Sequence, residues 1–408
     1  MNILLFAEVS ACHLAGGSSR SLGEQAFGLS KRGHNVCLLV RAPRDDPRPR
    51  ADFKGIPEFR YPVCRKSAPA FVLSSILNSI RAFDHIEKHF FRPDVVVIHQ
   101  SLAGFGPVLF RRKRVPAWVY NCHSLAHEEY LTRNKPKSGP WSGFLYFLHV
   151  RARFWIEWWT IRRCNKVTVE SQFMKERVVS NHQVPEERIH VVPAAADINR
   201  FKPAADKKAL RARLRLPEDH IIALTVRNLV PRMGLENLVR AVKEIEQPGN
   251  KLLVIIGGAG PLRQSLERLI SALKLESKVI LKGFIPEDDL AAWYQCADLV
   301  VMPTYELEGF GLVTVEALAC GTPVLGTPVG ATPEILGQID ERLISKGNDP
   351  GSIAKALANI LALIRNDPAE WNRFSKKGLQ LVEEVYNWEK YSGTFEEILS
   401  RSHCAPRN

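Results

Sequence analysis

Ala297-Asp-Leu-Val-Val-Met-Pro-Thr-Tyr-Glu-Leu-Glu308-Gly-Phe-Gly-Leu-Val-Thr-Val-Glu316-Ala-Leu-Ala-Cys320 carries a strand, a turn and a helix within one stretch. Its aliphatic run through Met302 has no polar face, which marks a strand buried on both sides. Beyond it Leu312, Val315, Glu316, Ala319 and Cys320 recur at helical spacing, so Gly309 and Gly311 sit where the strand hands over to a helix N-terminus. Unpaired backbone N–H groups and the positive end of the helix dipole attract a phosphate or a sugar hydroxyl there. Glu308 stands just before the turn, and Glu316 about two turns into the helix. One carboxylate can reach a ligand at the strand tip, the other a polyol beside the first helical turns.

Apolar runs alternate with helical stretches in both directions from this segment. Strands are expected at Ile3–Ala7, Val36–Val40, Asp94–His99, Ala117–Cys122, Lys166–Glu170 and Ile189–Val192, then at Ile221–Val226, Leu252–Ile256, Lys278–Leu281, Leu299–Pro303 and Val324–Gly326. The pattern predicts an α/β protein of two Rossmann-like domains built on parallel sheets. The first spans 1–195 and the second 196–385, joined at Pro193-Ala-Ala-Ala-Asp197, with ligands expected in the cleft between them.

Other side chains suited to chemistry stand at predicted strand tips. Arg227 follows Ile221–Val226 directly and, with Arg232 close by, suits a diphosphate that gains charge as a bond breaks. Gly16 and Gly17 precede a helix and permit close approach of a phosphate or acceptor, with Arg20 beside them. His123 follows Ala117–Cys122 and could bond a sugar hydroxyl or handle a proton. Gly257-Gly-Ala-Gly-Pro-Leu262 reads as a tight turn lining the ligand pocket; it lacks the third glycine of a dinucleotide fingerprint. His127 and Glu128 have neither the order nor the third ligand of a metal motif, and no Asp-x-Asp motif follows a strand, so no metal or other cofactor is expected. His127 is expected in a solvent-facing loop.

Eight scattered cysteines without a Cys-x-x-Cys pair point to a reducing compartment. The chain enters a strand at Asn2 with no basic n-region, and no apolar run reaches about 18 residues, so neither a signal peptide nor a spanning helix is expected. A cytoplasmic protein follows from these readings, with association at the inner face of the membrane a further expectation. Residues 1–203 hold 31 Lys and Arg against 17 Asp and Glu, while residues 204–408 hold 25 against 26. All of the net +13 therefore belongs to the first half, which suits anionic headgroups or a diphosphate-bearing acceptor. Nucleic acid is not expected as a partner, because no recognition motif or basic–aromatic stacking pattern occurs. Residues 144–161 read as a helix with a narrow polar stripe of His149, Arg153, Glu157 and Thr160. Its wide apolar face fits a core helix or, with its aromatics and the arginines that follow, a bilayer interface. The run Arg111–Arg114 reads as a solvated turn.

The segment from Pro303 to Glu334, with its Glu-x7-Glu spacing, resembles the signature of retaining GT-B glycosyltransferases of family 4. That resemblance extends over nearly the whole chain and is densest from Arg227 to Glu334. It implies a GT-B fold whose C-terminal residues 386–408 cross back to the first domain. It also implies transfer of a hexosyl group from a nucleoside-diphosphate sugar to a glycan or lipid-linked acceptor, in cell-envelope polysaccharide or glycolipid synthesis. By the same resemblance Glu308 holds donor-sugar hydroxyls, Glu316 holds the ribose, and the backbone of Gly309, Phe310, Gly311 and Leu312 receives sugar and phosphate oxygens. Gly17 would face the donor phosphate, and His123 would occupy a functionally important position. Met233 departs from the pattern, since the family usually places a lysine there. A sugar-nucleotide epimerase of the same fold and a binding module without catalysis remain alternatives.

Overall fold

The computed structural model describes residues 1–13, 16–134, 140–245 and 251–403. The chain divides into two compact units, Met1–Ala194 with Trp388–Asn408, and Ala195–Asn387. Cys404 lies outside the described residues, and the other seven cysteines are free thiols.

The first unit runs β1 (Asn2–Ala7), α1 (Gly17–Lys31), β2 (Asn35–Arg41), β3 (Arg50–Phe53), β4 (Ile56–Tyr61), α2 (Ala68–His89), β5 (Val95–Ile98) and α3 (Ser101–Arg111). It continues through β6 (Ala117–Cys122), α4 (Ala126–Arg133), α5 (Pro140–Arg163), β7 (Lys166–Val169), α6 (Gln172–His182) and β8 (Ile189–Val191). Its strands lie in the order β3-β4-β2-β1-β5-β6-β7-β8, and every neighbouring pair is parallel except β3 with β4. The central strands are buried on both faces, which is why β1, β5 and β6 are nearly unbroken aliphatic and aromatic runs.

The second unit runs α7 (Lys207–Arg213), β9 (Ile221–Val226), α8 (Leu235–Glu244), β10 (Leu252–Gly257), α9 (Arg263–Ala272), β11 (Val279–Gly283) and α10 (Glu287–Cys296). Then come β12 (Leu299–Met302), α11 (Leu312–Ala319), β13 (Val324–Gly326), α12 (Thr332–Leu336), α13 (Pro350–Asn366) and α14 (Pro368–Glu384). Its five-stranded sheet is parallel throughout, ordered β11-β10-β9-β12-β13. The order reverses between β9 and β12. In such sheets the crevice outside the carboxyl ends at the reversal is where ligands bind.

The last helix, α15 (Trp388–His403), returns to the first unit and packs on α1. Glu396 holds Arg32 and His34, and Tyr391 receives a bond of 2.6 Å from Gln25.

Two elements depart from the sequence reading. The first is the β3–β4 pair, whose Ile56-Pro-Glu-Phe-Arg-Tyr61 carries a proline and two charges and gives no strand pattern. Glu58 and Arg60 point inward there and satisfy each other at 2.7 Å, while Glu58 also accepts from Ser10 and the Ala11 amide. The second is α5, whose polar stripe faces the core. Glu157 and Thr160 are fully buried, whereas Phe144, Leu145, Phe147, Leu148, Trp155 and Trp159 are exposed. The core-helix expectation is corrected by Glu157, whose charge has partners only on the inner side. The Arg111–Arg114 turn is less free than expected, since Arg111 and Arg114 pair with Asp84 and Arg114 also with Glu87.

Candidate functional site

Arg227 emerges from β9 and Glu308 from the segment after β12, so the sheet reversal of the second unit brings them together. The Arg227 guanidinium pairs with Glu308 Oε2, and Thr304 Oγ1 lies 3.3 Å from the same oxygen. Oε1 of Glu308 has no bond among the described residues. Arg227 also reaches Thr304 Oγ1 at 3.0 Å, Met302 Sδ at 3.2 Å and, through Nε, Met233 Sδ at 3.2 Å. Thioether sulfur is a weak acceptor. Two of the directions in which Arg227 donates are thus held by groups that a phosphate oxygen would outcompete.

The backbone around this pair leaves no room for side chains at three glycines, one of them Gly258, whose Cβ would lie 1.9 Å from the Arg227 carbonyl oxygen. Gly234 starts α8 at φ +67°, and a Cβ there would lie 1.8 Å from the Pro303 carbonyl oxygen. A Cβ at Gly330 would lie 2.0 Å from the Glu308 carbonyl oxygen, and Ala331 N donates to that same oxygen at 2.9 Å. Leu307 adopts φ 55°, a left-handed conformation that leucine rarely takes, directly before Glu308. Its carbonyl accepts from Arg232 Nη1 at 2.6 Å. Arg232 therefore fixes the Glu308 turn. The glycine-rich loop after β10 serves the same end: Gly257 O accepts from Arg227 N at 2.9 Å, and Ala259 O from Leu229 N. It buttresses the strand tip that carries Arg227.

Gly311 caps α11 at φ +91° with no side-chain cap, so the first-turn amides from Leu312 are not taken by a capping side chain. Gly309 and Phe310 complete the turn, Phe310 being buried against Tyr386. Glu316 is buried within α11 and accepts from Tyr294 OH at 3.1 Å.

In the first unit Gly16, at φ +127°, caps α1 without a side-chain bond, Gly17 opens the helix, and Arg20 N donates back to Gly16 O at 3.3 Å. His123 sits beyond β6 with both ring nitrogens engaged, Nδ1 2.6 Å from Glu170 Oε1 and Nε2 2.9 Å from His99 Nδ1. Neither His99 nor Glu170 was singled out from sequence. Each is the last residue of an expected strand, Asp94–His99 or Lys166–Glu170, whereas His123 directly follows one; the strand tip is the signal that could have found them.

His127 is not in a solvent-facing loop. It is buried on α4 and joins Glu157 of α5 and His182 of α6, the three ligand-type atoms lying within 4.8 Å of one another. Among the described residues this is the group that could reach a cation together. The carboxylate of this group is already fully engaged, although His182 Nδ1 is buried without a partner among the described residues. Glu157 Oε2 meets His127 Nδ1 and His182 Nε2 at 3.2 Å each, and Oε1 accepts from Ala126 N at 3.0 Å and Tyr120 OH at 3.3 Å. Burial works to raise the Glu157 carboxyl, but the bonds from His127 and His182 outweigh it and hold the group below its ordinary range.

The family model of glycosyl transferases group 1 matches residues 206–378, and that of glycosyltransferase family 4 matches residues 15–200. A D-inositol 3-phosphate glycosyltransferase of Streptomyces avermitilis is 29% identical over 57% of this chain. The chain spans about half of that relative, 51% of its length. A protein of the same description from Xylanimonas cellulosilytica is 28% identical, with 95% of this chain and 92% of that one covered. Sucrose-phosphate synthase from Thermosynechococcus elongatus shares the fold at a TM-score of 0.81, over 98% of this chain and 99% of that one, at 22% identity.

Proposed function

Since the chain belongs to the family 4 glycosyltransferases of the GT-B fold, we propose that it transfers a hexosyl group, with retention, from a nucleoside-diphosphate sugar to a glycan or lipid-linked saccharide acceptor. The observation that carries this reading is the Arg227–Glu308 pair at the sheet reversal, beside the uncapped N-terminus of α11. The free oxygen of Glu308 accepts a hydroxyl of the donor sugar. The diphosphate displaces the methionine sulfurs from Arg227 and meets the amides from Gly309 to Leu312. Arg227 then stabilises the charge that grows on the leaving diphosphate. Arg232 keeps the Glu308 turn in place, and Glu316 serves the nucleotide end. These cations and amides neutralise the diphosphate without a divalent metal. Met233 supports the same picture, because its sulfur holds Arg227 in place with a bond that is easily exchanged.

The first unit takes the acceptor, with Gly16, Gly17, Arg20 and the His123 region as its contacts. Its outer surface also supports peripheral contact with an anionic bilayer at the inner face of the membrane. The exposed aromatic and leucine face of α5 is interleaved with cations: Arg163 lies 3.7 Å from the Trp159 ring centre, Arg162 4.7 Å from that of Trp158, and Arg151 5.8 Å from that of Trp155. An apolar face fringed by arginine matches a headgroup–acyl boundary. Among the described residues no helix is long and apolar enough to cross a membrane.

Incubation with UDP-, GDP- and ADP-sugars followed by mass spectrometry tests the reading. Slow release of free sugar from one of them is expected of a transferase lacking its acceptor. Interconversion of sugars would instead mark an epimerase, and binding without turnover an inert module.

A further inference from the structure

His99, His123 and Glu170 each follow the carboxyl end of one of three adjacent parallel strands, β5, β6 and β7. They form one continuous hydrogen-bonded chain. Glu170 Oε1 lies 2.6 Å from His123 Nδ1, His123 Nε2 2.9 Å from His99 Nδ1, and His99 Nε2 2.7 Å from Gln25 Oε1. Gln25 Nε2 closes the chain by donating to Tyr391 OH at 2.6 Å. Gln25 and His99 are buried.

The proton positions can be read from the far end. The amide nitrogen of Gln25 is committed to Tyr391, so its oxygen accepts and His99 Nε2 carries a proton. Burial first, and then the neighbouring His123, hold His99 well below the ordinary histidine value of 6.5, so its ring is neutral and its Nδ1 is bare. A bare Nδ1 accepts, which places a proton on His123 Nε2. His123 Nδ1 faces a carboxylate that can only accept, so that nitrogen is protonated as well.

We infer that His123 is held as an imidazolium between Glu170 and His99, that His99 is a positioning residue, and that the group these strand tips offer a ligand is the second oxygen of Glu170. Among the described residues that oxygen has no bond, whereas both nitrogens of His123 are committed. His123 therefore does not take up a proton from the acceptor; it fixes the charge and direction of Glu170. In the transferase reading the Glu170 oxygen accepts an acceptor hydroxyl. The protonation pattern itself stands without that reading.

Nitrogen–proton correlation spectra of the full chain labelled with ¹⁵N-histidine test this at neutral pH, with His123→Gln and His99→Phe supplying the assignments. Two protonated nitrogens on His123 and a single protonated Nε2 on His99 are expected. His99→Phe should abolish the double protonation of His123. His99→Gln, whose amide oxygen can still accept, should restore it, which a purely structural role for His99 would not do. Wild-type His123 protonated on Nδ1 alone would mean that the Gln25 amide is reversed, and would overturn the inference. So would His123 signals indifferent to His99→Phe. Donor hydrolysis measured on the same sample reports separately on the transferase reading.

Discussion

Glu157 in the first unit and Glu308 in the second are both carboxylates held away from water, yet they differ in what remains unspent. Glu157 faces four donors from four directions, two on each oxygen. Glu308 spends one oxygen on Arg227 and Thr304 and keeps the other. Arg227 in turn donates partly to sulfur. Burial of charge alone therefore does not identify a ligand site. What distinguishes the second pair is unused bonding capacity at a sheet reversal, next to a helix N-terminus that no side chain caps.

The largest effect should come from Glu308→Gln, which keeps the shape and removes the charge. Donor hydrolysis or transfer should fall by roughly 10²–10³-fold, and the melting temperature should also drop, because buried Arg227 loses its counter-charge. Undiminished turnover would place Glu308 in the same structural class as Glu157. The reciprocal variant, Glu157→Ala, strips the partner from two buried histidines and should cost about 3 kcal/mol of unfolding free energy. Urea denaturation measures it, and an undiminished midpoint would show that the node does not hold α4, α5 and α6 together. Donor affinity should not change in that variant.

Acid separates the two regions further. The folded-state value of Glu157 is depressed, so its contribution is present above 4.5 and lost as pH falls through the folded value. That of His99 is also depressed, because the fold favours the neutral ring; its contribution is present above 6.5 and declines below. Urea midpoints should thus begin to drop below pH 6.5, and His99→Phe should flatten that first limb. A midpoint flat down to the carboxylate range would contradict the neutral assignment of His99.

The smallest effect on the fold, within about 0.5 kcal/mol, is expected from Trp155→Ser with Trp159→Ser, since both side chains are exposed. Partitioning onto anionic vesicles at low salt should nevertheless weaken about tenfold. Unaltered sedimentation with those vesicles would remove α5 as a membrane face.

The fold was legible wherever burial is two-sided. Runs such as Ala117–Cys122 and Ile221–Val226 announce parallel strands, and the structure places them at those residues. The β3–β4 pair was not legible, because Glu58 and Arg60 neutralise each other inside, a pairing invisible to hydropathy. The orientation of α5 was hidden for a related reason. A rule that buries the apolar face cannot know that Glu157 has four donors waiting on the other side. At the candidate site the strand-tip positions of Arg227, Glu308 and His123 could be read directly. Their partners could not: Met302 and His99 come from elements distant in sequence, and Met233, though only six residues from Arg227, stands where nothing in its spacing shows that its sulfur meets the guanidinium.

A crystal structure with an intact nucleoside-diphosphate sugar examines the second pair most directly. The sugar hydroxyls should sit on the free oxygen of Glu308, with diphosphate oxygens on Arg227 where the methionine sulfurs had been. A donor bound away from these two residues, with the sulfur contacts of Arg227 undisturbed, would contradict it.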